Sequence, residues 1–166
     1  MTPCKLIPRE DVAGLGVSLR MRGKRIAFTN GCFDLLHVGH TRFLAEARSL
    51  GNVLVVGVNT DDSIRRIKGK HRPWVPQEER AEILTALDSV DHVVLFDETT
   101  PVAVIEALRP HVACKGGDYR DPRVLPEAIA VASCDGEFRL LGHTAHRSSS
   151  SLIENIVAVT RELTFP

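Results

Sequence analysis

The residues of this chain best suited to chemistry are two histidines, His37 and His40, with Gly39 between them. They follow the short apolar run 26–28 and stand at the start of a helical pattern over residues 39–50. A turn from a strand into a helix is a common phosphate site in α/β proteins, because the first amides of the helix attract anions. Two imidazoles there could donate N–H groups to phosphate oxygens and stabilise a phosphoryl transition state without covalent chemistry.

The residue types alone leave two other interpretations of this pair open. Histidines with this spacing are also found as caps or as surface residues of a helix. A zinc site is the second alternative, since Cys32, His37 and His40 could all serve as ligands. His143 and His146 form another pair, but no further cysteine–histidine cluster in the sequence has the spacing of a closed zinc site.

The elements that must position the histidines alternate along the chain. Apolar runs typical of buried strands occur at 26–28, 53–58, 90–96, 112–114 and 138–141. Helical patterns occur at 9–21, 39–50, 76–87, 101–108, 124–133 and 150–160. Repeated strand–helix units predict an α/β fold with a doubly wound, parallel, five-stranded sheet and helices on both faces. Such sheets bind ligands at the carboxyl ends of their strands, where the histidines fall.

Length and composition exclude several function classes. A chain of 166 residues, 43% hydrophobic and 25% charged, fits one domain over 1–166 with residues 1–22 as a helical lead-in. Basic and acidic residues both number 21, and this zero net charge argues against a general nucleic-acid binder. No apolar run approaches the roughly 20 residues needed to cross a membrane, and no signal-peptide core is present. The four scattered cysteines predict free thiols in a reducing cytoplasm.

A basic run in the middle of the chain supplies further candidates for phosphate binding. Five cations are predicted to crowd one short loop after the second strand: Arg65, Arg66, Lys68, Lys70 and Arg72. A nucleoside triphosphate and a phosphorylated acceptor together would bring many negative charges to this loop. A solvated basic loop is the alternative. Arg80, in the first turn of the next helix, is interpreted as a structural ion-pair partner, and contact with an anion is the alternative.

Two motifs near the C-terminus complete the set of candidates. The run Lys115-Gly116-Gly117-Asp118-Tyr119 follows a strand, and its glycines would allow unusual backbone angles and close approach to a flat ligand. A tight turn capped by Asp118 is the simpler interpretation. Residues 148–151 are four serines before the last helical pattern. They predict a helix N-terminus with hydroxyl caps, which could bind phosphate.

Together these motifs resemble a known family. Residues 31–40 (Gly-Cys-Phe-Asp-Leu-Leu-His-Val-Gly-His) resemble the HxGH signature of the nucleotidyltransferase superfamily that includes the cytidylyltransferases. Residues 59–91 are similar to the heptose-1-phosphate adenylyltransferases of ADP-heptose synthesis, and the resemblance covers most of residues 5–156. It implies a Rossmann-like fold and a divalent metal, usually magnesium. It also implies transfer of AMP from ATP to D-glycero-β-D-manno-heptose 1-phosphate, with release of pyrophosphate.

The resemblance further implies a role for each site residue. His37, His40 and Lys68 would be catalytic, in contact with the phosphates, and the acceptor would be bound by Asp34, Asn59 and Arg72. The nucleotide would be bound by Phe28, Thr29, Asn30, Gly31, Cys32, Phe33, Gly39, Lys115, Gly117, Asp118, Arg147, Ser148, Ser149 and Ser150. No protein ligand for a metal is predicted, so Mg²⁺ would bind mainly through the triphosphate. A homodimer is expected from the family, with no nucleic-acid or membrane partner.

Two departures from the family pattern leave the base and the acceptor open. Ser149 and Ser150 stand where the family usually has threonines, and Ala145-His146 replaces a glutamate–glycine pair. One alternative is a cytidylyltransferase that uses CTP and glycerol 3-phosphate or another small phosphate or phosphonate. The other is a nucleotide-binding sensor without turnover. The sequence has no sugar kinase of the kind fused to some relatives, so a separate kinase is expected to supply the sugar phosphate.

Overall fold

The structure, a computed structural model, describes residues 5–117, 121–142 and 149–163, with the two ends of the last segment described by their backbone alone. The strands are β1 (Leu6–Ile7), β2 (Ile26–Gly31), β3 (Val53–Asn59), β4 (His92–Phe96), β5 (Val112–Gly116) and β6 (Glu137–Leu141). The α-helices are α1 (Val12–Met21), α2 (Val38–Ser49), α3 (Asp61–Lys68), α4 (Gln77–Thr85), α5 (Val102–Leu108), α6 (Pro126–Ser133) and α7 (Ser149–Leu163). None of these helices has the length and apolar character needed to span a bilayer.

The strands form one parallel sheet in the order β1-β4-β3-β2-β5-β6, which confirms the predicted doubly wound α/β architecture. The sheet formed by the described residues has six strands, one more than predicted. The additional strand, β1, falls inside the predicted helical lead-in and pairs Leu6 with Val93 and Ile7 with Val94 at the edge of the sheet. A run of two residues is too short to be recognised as a strand from its apolar pattern.

Side chains of the central strands point alternately into two cores, one on each face of the sheet. On β2, Ile26 and Phe28 enter the core that includes α1, α5 and α6, whereas Ala27 enters the core that includes α2 and α4. Every residue of β3 is buried. Such continuously buried strands are typical of parallel sheets that are covered by helices on both faces.

Residues 61–68 correct the sequence prediction, because they form helix α3 and not part of a basic loop. Thr60 caps the helix, since its Oγ1 accepts a hydrogen bond from the amide of Ser63 at 3.2 Å. Acids fill the first turn and bases the last turn, which complements the helix dipole. The apolar pattern of this stretch is short, so the cap and the charges were the signals for a helix.

The strand order changes direction beside β2. From β2 the chain passes through α2 to β3 and on to β4, and it later returns to place β5 on the other side of β2. The carboxyl ends of β2 and β5 therefore border a crevice, which is where open parallel sheets bind ligands. The N-terminus of α2 lies at this crevice, because α2 follows directly from the turn after β2.

Candidate active site

The turn between β2 and α2 holds the two histidines in a reciprocal cap. His37 is the N-cap of α2, and its Nδ1 accepts a hydrogen bond from the amide of Gly39 at 3.1 Å. The Nδ1 of His40 accepts from the amide of His37 at 3.3 Å, and the two ring centroids are 4.0 Å apart. Each imidazole thus satisfies an amide that the first turn of a helix leaves without an intrahelical partner.

This reciprocal cap determines which nitrogen of each ring carries the proton. A neutral imidazole whose Nδ1 accepts a hydrogen bond carries its proton on Nε2. Both rings therefore present Nε2 as a donor, and both are half-buried. The capping and phosphate-binding interpretations of the pair are compatible, because the cap uses Nδ1 whereas a phosphate oxygen would accept from Nε2–H.

Burial and nearby groups keep His40 neutral. Desolvation lowers the pKa of His40 from 6.5 to about 4, with further lowering by His37 and by the Lys68 cation. The Lys68 ammonium, at the end of α3, therefore lies within electrostatic range of His40. The structure therefore brings the three residues with predicted catalytic roles into one neighbourhood.

Phe33 and Gly31 shape the backbone before the histidines. Phe33 has a φ of 48°, in the left-handed region that residues other than glycine rarely adopt. Its buried ring packs near His40, with the centroids 5.6 Å apart. A Cβ at position 31 would lie 3.1 Å from the Phe33 ring. Gly31 thus leaves room for the Phe33 ring, which packs against His40.

Asp34 connects the histidine turn to the loop of residues 69–76. Its buried carboxylate accepts from Arg72 Nε at 2.7 Å and from the amides of Trp74 and Val75 at 2.9 and 3.0 Å. Both carboxylate oxygens take part in these bonds. The structure therefore brings Asp34 and Arg72 together as an ion pair, and their contact with an acceptor stays a prediction.

Arg80 connects four further segments of the same region. Its side chain is 0% exposed. It donates to the carbonyls of Cys32, Asn59 and Val75 at 2.5, 2.8 and 2.9 Å and to the carboxylate of Asp61 at 2.8 Å. These acceptors lie in the turn after β2, at the end of β3, in loop 69–76 and at the start of α3. The contacts agree with the interpretation of Arg80 as a structural ion-pair partner.

The structure divides the basic run into paired arginines and lysines without a carboxylate partner. The three ion pairs are Arg65–Asp62, Arg66–Asp97 and Arg72–Asp34. Within the described segments Lys68 and Lys70 form no ion pair. These two lysines are therefore the cations of the run that an anionic ligand can engage without displacing a carboxylate.

On the other side of β2, Lys115 and Gly117 stand at the end of β5. The Lys115 ammonium forms an ion pair with Glu127, whose carboxylate is buried at the start of α6. Gly117 has a φ of 129°, the unusual backbone angle predicted for this motif. Gly116 instead makes room for α2, because a Cβ there would lie 3.3 Å from the ring of Phe43.

Three side chains that were predicted to bind ligand are buried in the core or form hydrogen bonds within the protein. Phe28 is 1% exposed and belongs to the core. Thr29 Oγ1 donates to the carbonyl of Cys114 at 2.9 Å, which ties β2 to β5. Asn59 Nδ2 donates to Ser63 Oγ at 3.0 Å. A ligand contact of Phe28 or Thr29 would therefore come from backbone atoms, whereas Asn30, Gly31 and Cys32 are partly exposed at the end of β2.

The C-terminal motifs are described only in part. Asp118, Arg147 and Ser148 lie outside the described residues, as does the segment 143–146. Helix α7 begins at Ser149, so Ser149 and Ser150 fall at a helix N-terminus, as the sequence predicts. Their roles in phosphate binding stay predictions.

The zinc interpretation finds no geometric support. Among the residues that the structure describes, no three histidine, cysteine, aspartate or glutamate side chains come together as a group that could hold a metal ion. Cys32, His37 and His40 therefore do not form the three-ligand site that this interpretation needs. The histidines instead direct Nδ1 to the backbone of α2.

Sequence reasoning missed two side chains in this region. The guanidinium of Arg72 stacks on the indole of Trp74, 3.9 Å from the ring centroid, and Glu127 pairs with Lys115. A signal for Trp74 was available, because it is the only tryptophan of the chain and follows directly on Arg72-Pro73. Glu127 gave no signal, since an acid in the first turn of a helix is common.

A parallel, doubly wound sheet with a helix N-terminus and two imidazole donors at its crevice defines a nucleotide-binding α/β domain. Comparison with protein-family models adds a more specific assignment: the cytidylyltransferase-like model matches residues 28–155. The chain belongs to the cytidylyltransferase-like family and is a nucleotidyltransferase. The resemblance found in the sequence is thereby confirmed.

Several curated relatives bear the name bifunctional protein HldE. The protein from Geobacter sulfurreducens is 51% identical over 146 residues, which cover 88% of this chain and 30% of the relative. The protein from Citrifermentans bemidjiense is 53% identical over 137 residues, which cover 82% of this chain and 28% of the relative. The chain therefore spans less than a third of the length of these relatives.

Solved structures share the fold. A lipopolysaccharide core biosynthesis protein from Thermoplasma volcanium has a TM-score of 0.62 and 25% identity, over 75% of this chain and 100% of that one. A pantoate–β-alanine ligase from Francisella tularensis has a TM-score of 0.58 and 13% identity, over 87% of this chain and 68% of that one. The second likeness shows the fold alone.

Proposed function

We propose that this chain transfers AMP from ATP to D-glycero-β-D-manno-heptose 1-phosphate, giving ADP-heptose and pyrophosphate. The observation that carries nucleotidyl transfer is the reciprocal cap of His37 and His40, which presents two Nε2 donors at the N-terminus of α2. The choice of ATP and of a heptose phosphate is supported by the motifs in residues 59–91 and by the similarity to the HldE proteins.

In this reaction an oxygen of the acceptor phosphate attacks the α-phosphorus of ATP in line. The new P–O bond forms as the bond to the β-phosphate oxygen breaks, and pyrophosphate leaves with that electron pair. The acceptor phosphate is already an anion at neutral pH, so the protein need supply neither a nucleophile nor a base. Its contributions are positioning and charge stabilisation, for which fixed donors are effective because they need no reorganisation.

The Nε2–H groups of His37 and His40 would donate to oxygens of the α- and β-phosphates. Because the pKa of His40 is about 4, this ring is neutral at physiological pH and acts as a hydrogen-bond donor. Lys68, which forms no ion pair in the described part of the chain, would stabilise the charge of the leaving pyrophosphate. The amides at the start of α7, together with the predicted contacts of Ser148–Ser150, would bind the same phosphates.

A Mg²⁺ ion that accompanies ATP would be held mainly by phosphate oxygens. This fits the donor set, because the described residues contain no cluster of three possible protein ligands, and Mg²⁺ commonly binds through substrate phosphates and water. The ion would neutralise part of the charge on the phosphates. The homodimer and the cytoplasmic location stay predictions.

The proposal is tested by measuring pyrophosphate release from a panel of triphosphates. ATP, CTP, GTP and UTP would each be offered with D-glycero-β-D-manno-heptose 1-phosphate or glycerol 3-phosphate in the presence of Mg²⁺. Release only with ATP and the heptose phosphate is expected. Release with CTP and glycerol 3-phosphate would instead establish the cytidylyltransferase alternative. Tight triphosphate binding without release, for any acceptor, would establish the sensor.

A further inference from the structure

Trp74 is an aromatic side chain to which the mechanism above gives no role. Trp74 is 47% exposed, and it is the one exposed residue among the phenylalanine, tyrosine and tryptophan residues that the structure describes. Aromatic rings contribute a large apolar area when they are covered, so a ring left in water is a candidate binding surface.

Contacts on one side of the ring hold Trp74 in place before any ligand binds. Its amide donates to Asp34 Oδ1 at 2.9 Å, and the Arg72 guanidinium stacks on the ring, 3.9 Å from the centroid. Arg72 is itself fixed by its 2.7 Å bond to the buried Asp34 carboxylate. Part of the residue stays exposed although the guanidinium stacks on the ring. An aromatic surface that is already fixed binds a ligand with a smaller loss of conformational entropy.

The position of Trp74 in the fold places it on the acceptor side of the proposed site. Asp34, which holds its amide, lies in the turn after β2 that also carries His37. Loop 69–76 reaches this turn from the β3 side of β2, whereas Lys115 and Gly117 stand on the β5 side. A nucleotide bound in the crevice between β2 and β5 would therefore leave Trp74 on the opposite side of the histidines.

We infer that the exposed surface of Trp74 is where the sugar ring of the proposed acceptor packs. The inference rests on the proposed function and deepens it. A pyranose ring has a flat face of C–H groups that can cover the indole, whereas an acyclic acceptor such as glycerol 3-phosphate has no such face.

The test compares Michaelis constants of the wild type with those of Trp74→Ala and Trp74→Phe. Trp74→Ala should raise the KM for D-glycero-β-D-manno-heptose 1-phosphate about tenfold and leave the KM for ATP within about twofold. Trp74→Phe keeps a flat ring and should restore most of the loss. Ile83→Ala is the matched control, because Ile83 is 46% exposed on α4, and both KM values should stay unchanged.

Three other outcomes would contradict the role of Trp74 or the proposed function. If the wild type is active and Trp74→Ala leaves the acceptor KM unchanged, the inference fails and the proposed function stands. If Trp74→Ala raises the KM for ATP alone, the indole stacks on the base and the assignment to the acceptor is overturned. If the wild type releases no pyrophosphate with any sugar 1-phosphate, the proposed function fails and the inference with it.

Discussion

At each of the two edges of the sheet a histidine accepts a hydrogen bond from a backbone amide, but only one of these edges holds the candidate active site. At the amino edge, His111 Nδ1 accepts a hydrogen bond from the amide of Ile26 at 3.0 Å. At the carboxyl edge, His40 Nδ1 accepts from the amide of His37 at 3.3 Å. Burial is the main cause of a lowered pKa in both rings. A neutral histidine whose Nδ1 accepts from a backbone amide is therefore not by itself evidence of an active site.

The difference lies in what surrounds each ring. Two cations lie beside His111, and other groups of the protein bind both. Arg25 pairs with Glu137 at 2.5 Å and donates to the carbonyl of Leu50 at 2.9 Å, and Arg20 donates to the carbonyls of Leu108 and Arg109 at 2.7 and 3.0 Å. Lys68, beside His40, has no carboxylate partner in the described parts of the chain. His40 also stands at a helix N-terminus, where amides attract anions. Unmatched positive charge at a helix N-terminus separates the candidate active site from the structural cap.

The largest effect is expected for the buried arginine of the carboxyl edge. Arg80→Met should lower the free energy of unfolding by about 3–5 kcal/mol, because it leaves the Asp61 carboxylate and three carbonyls without their donor. Arg25→Met at the amino edge should cost about 1 kcal/mol or less, because that side chain is 48% exposed. Urea denaturation measures both, and equal losses would show that Arg80 does not connect the four segments.

The histidines of the candidate active site give the next effect, which separates the two edges by activity. His37→Ala and His40→Ala should each lower kcat by about 100-fold or more, because each removes a proposed donor to the phosphates. His37→Asn is the sharper variant, since its amide oxygen can still accept from Gly39 while the Nε2 donor is lost. His111→Asn is the matched control and should leave kcat within about twofold. Near-normal turnover of both alanine variants would refute the assignment.

An NMR titration of His40 separates the effect of burial on its pKa from the effect of the Lys68 charge. Its ring resonances in NMR should titrate with a midpoint at about pH 4, well below the usual 6.5. In Lys68→Met the pKa should rise but stay below 6.5, because burial is the larger cause. The folded pKa is the lower one, so the unfolded chain binds more protons between these values and His40 makes the fold less stable as pH falls through that window. A midpoint near 6.5 in the wild type would contradict the burial of the ring.

The smallest effect concerns the amino edge alone. Burial lowers the pKa of His111, followed by the charges of Arg25 and Arg20. As for His40, the folded pKa is the lower one, so the unfolded chain binds more protons. His111 therefore makes the fold less stable as pH falls below its ordinary pKa. His111→Asn keeps an acceptor for the Ile26 amide but cannot be protonated. Its loss of stability between pH 7.5 and pH 5, measured with urea, should be smaller than that of the wild type.

The sequence predicted correctly those features that depend on residues close together along the chain. The histidine turn, the strand–helix alternation and the helix start at Ser149 all depend on neighbouring residues, and each was predicted correctly. Helix α3 was not predicted, because its apolar pattern is too short to indicate a helix. Its N-cap and the charges in its first and last turns were the available signals. The pairing of Asp34 with Arg72 joins residues 38 positions apart. The family resemblance put both residues at the acceptor, but no local pattern predicts the ion pair between them. Trp74 and Glu127 depend in the same way on tertiary packing.

The place of Trp74 also gives this protein a natural optical signal. It is the only tryptophan, and there is only one tyrosine, so indole emission from the chain comes from a single, known position. One face of that indole meets a guanidinium and about half of its surface meets water. Any molecule that displaces this water should change the emission. The arrival and departure of ligands on this side of the histidines could then be timed in stopped-flow experiments without attaching a dye.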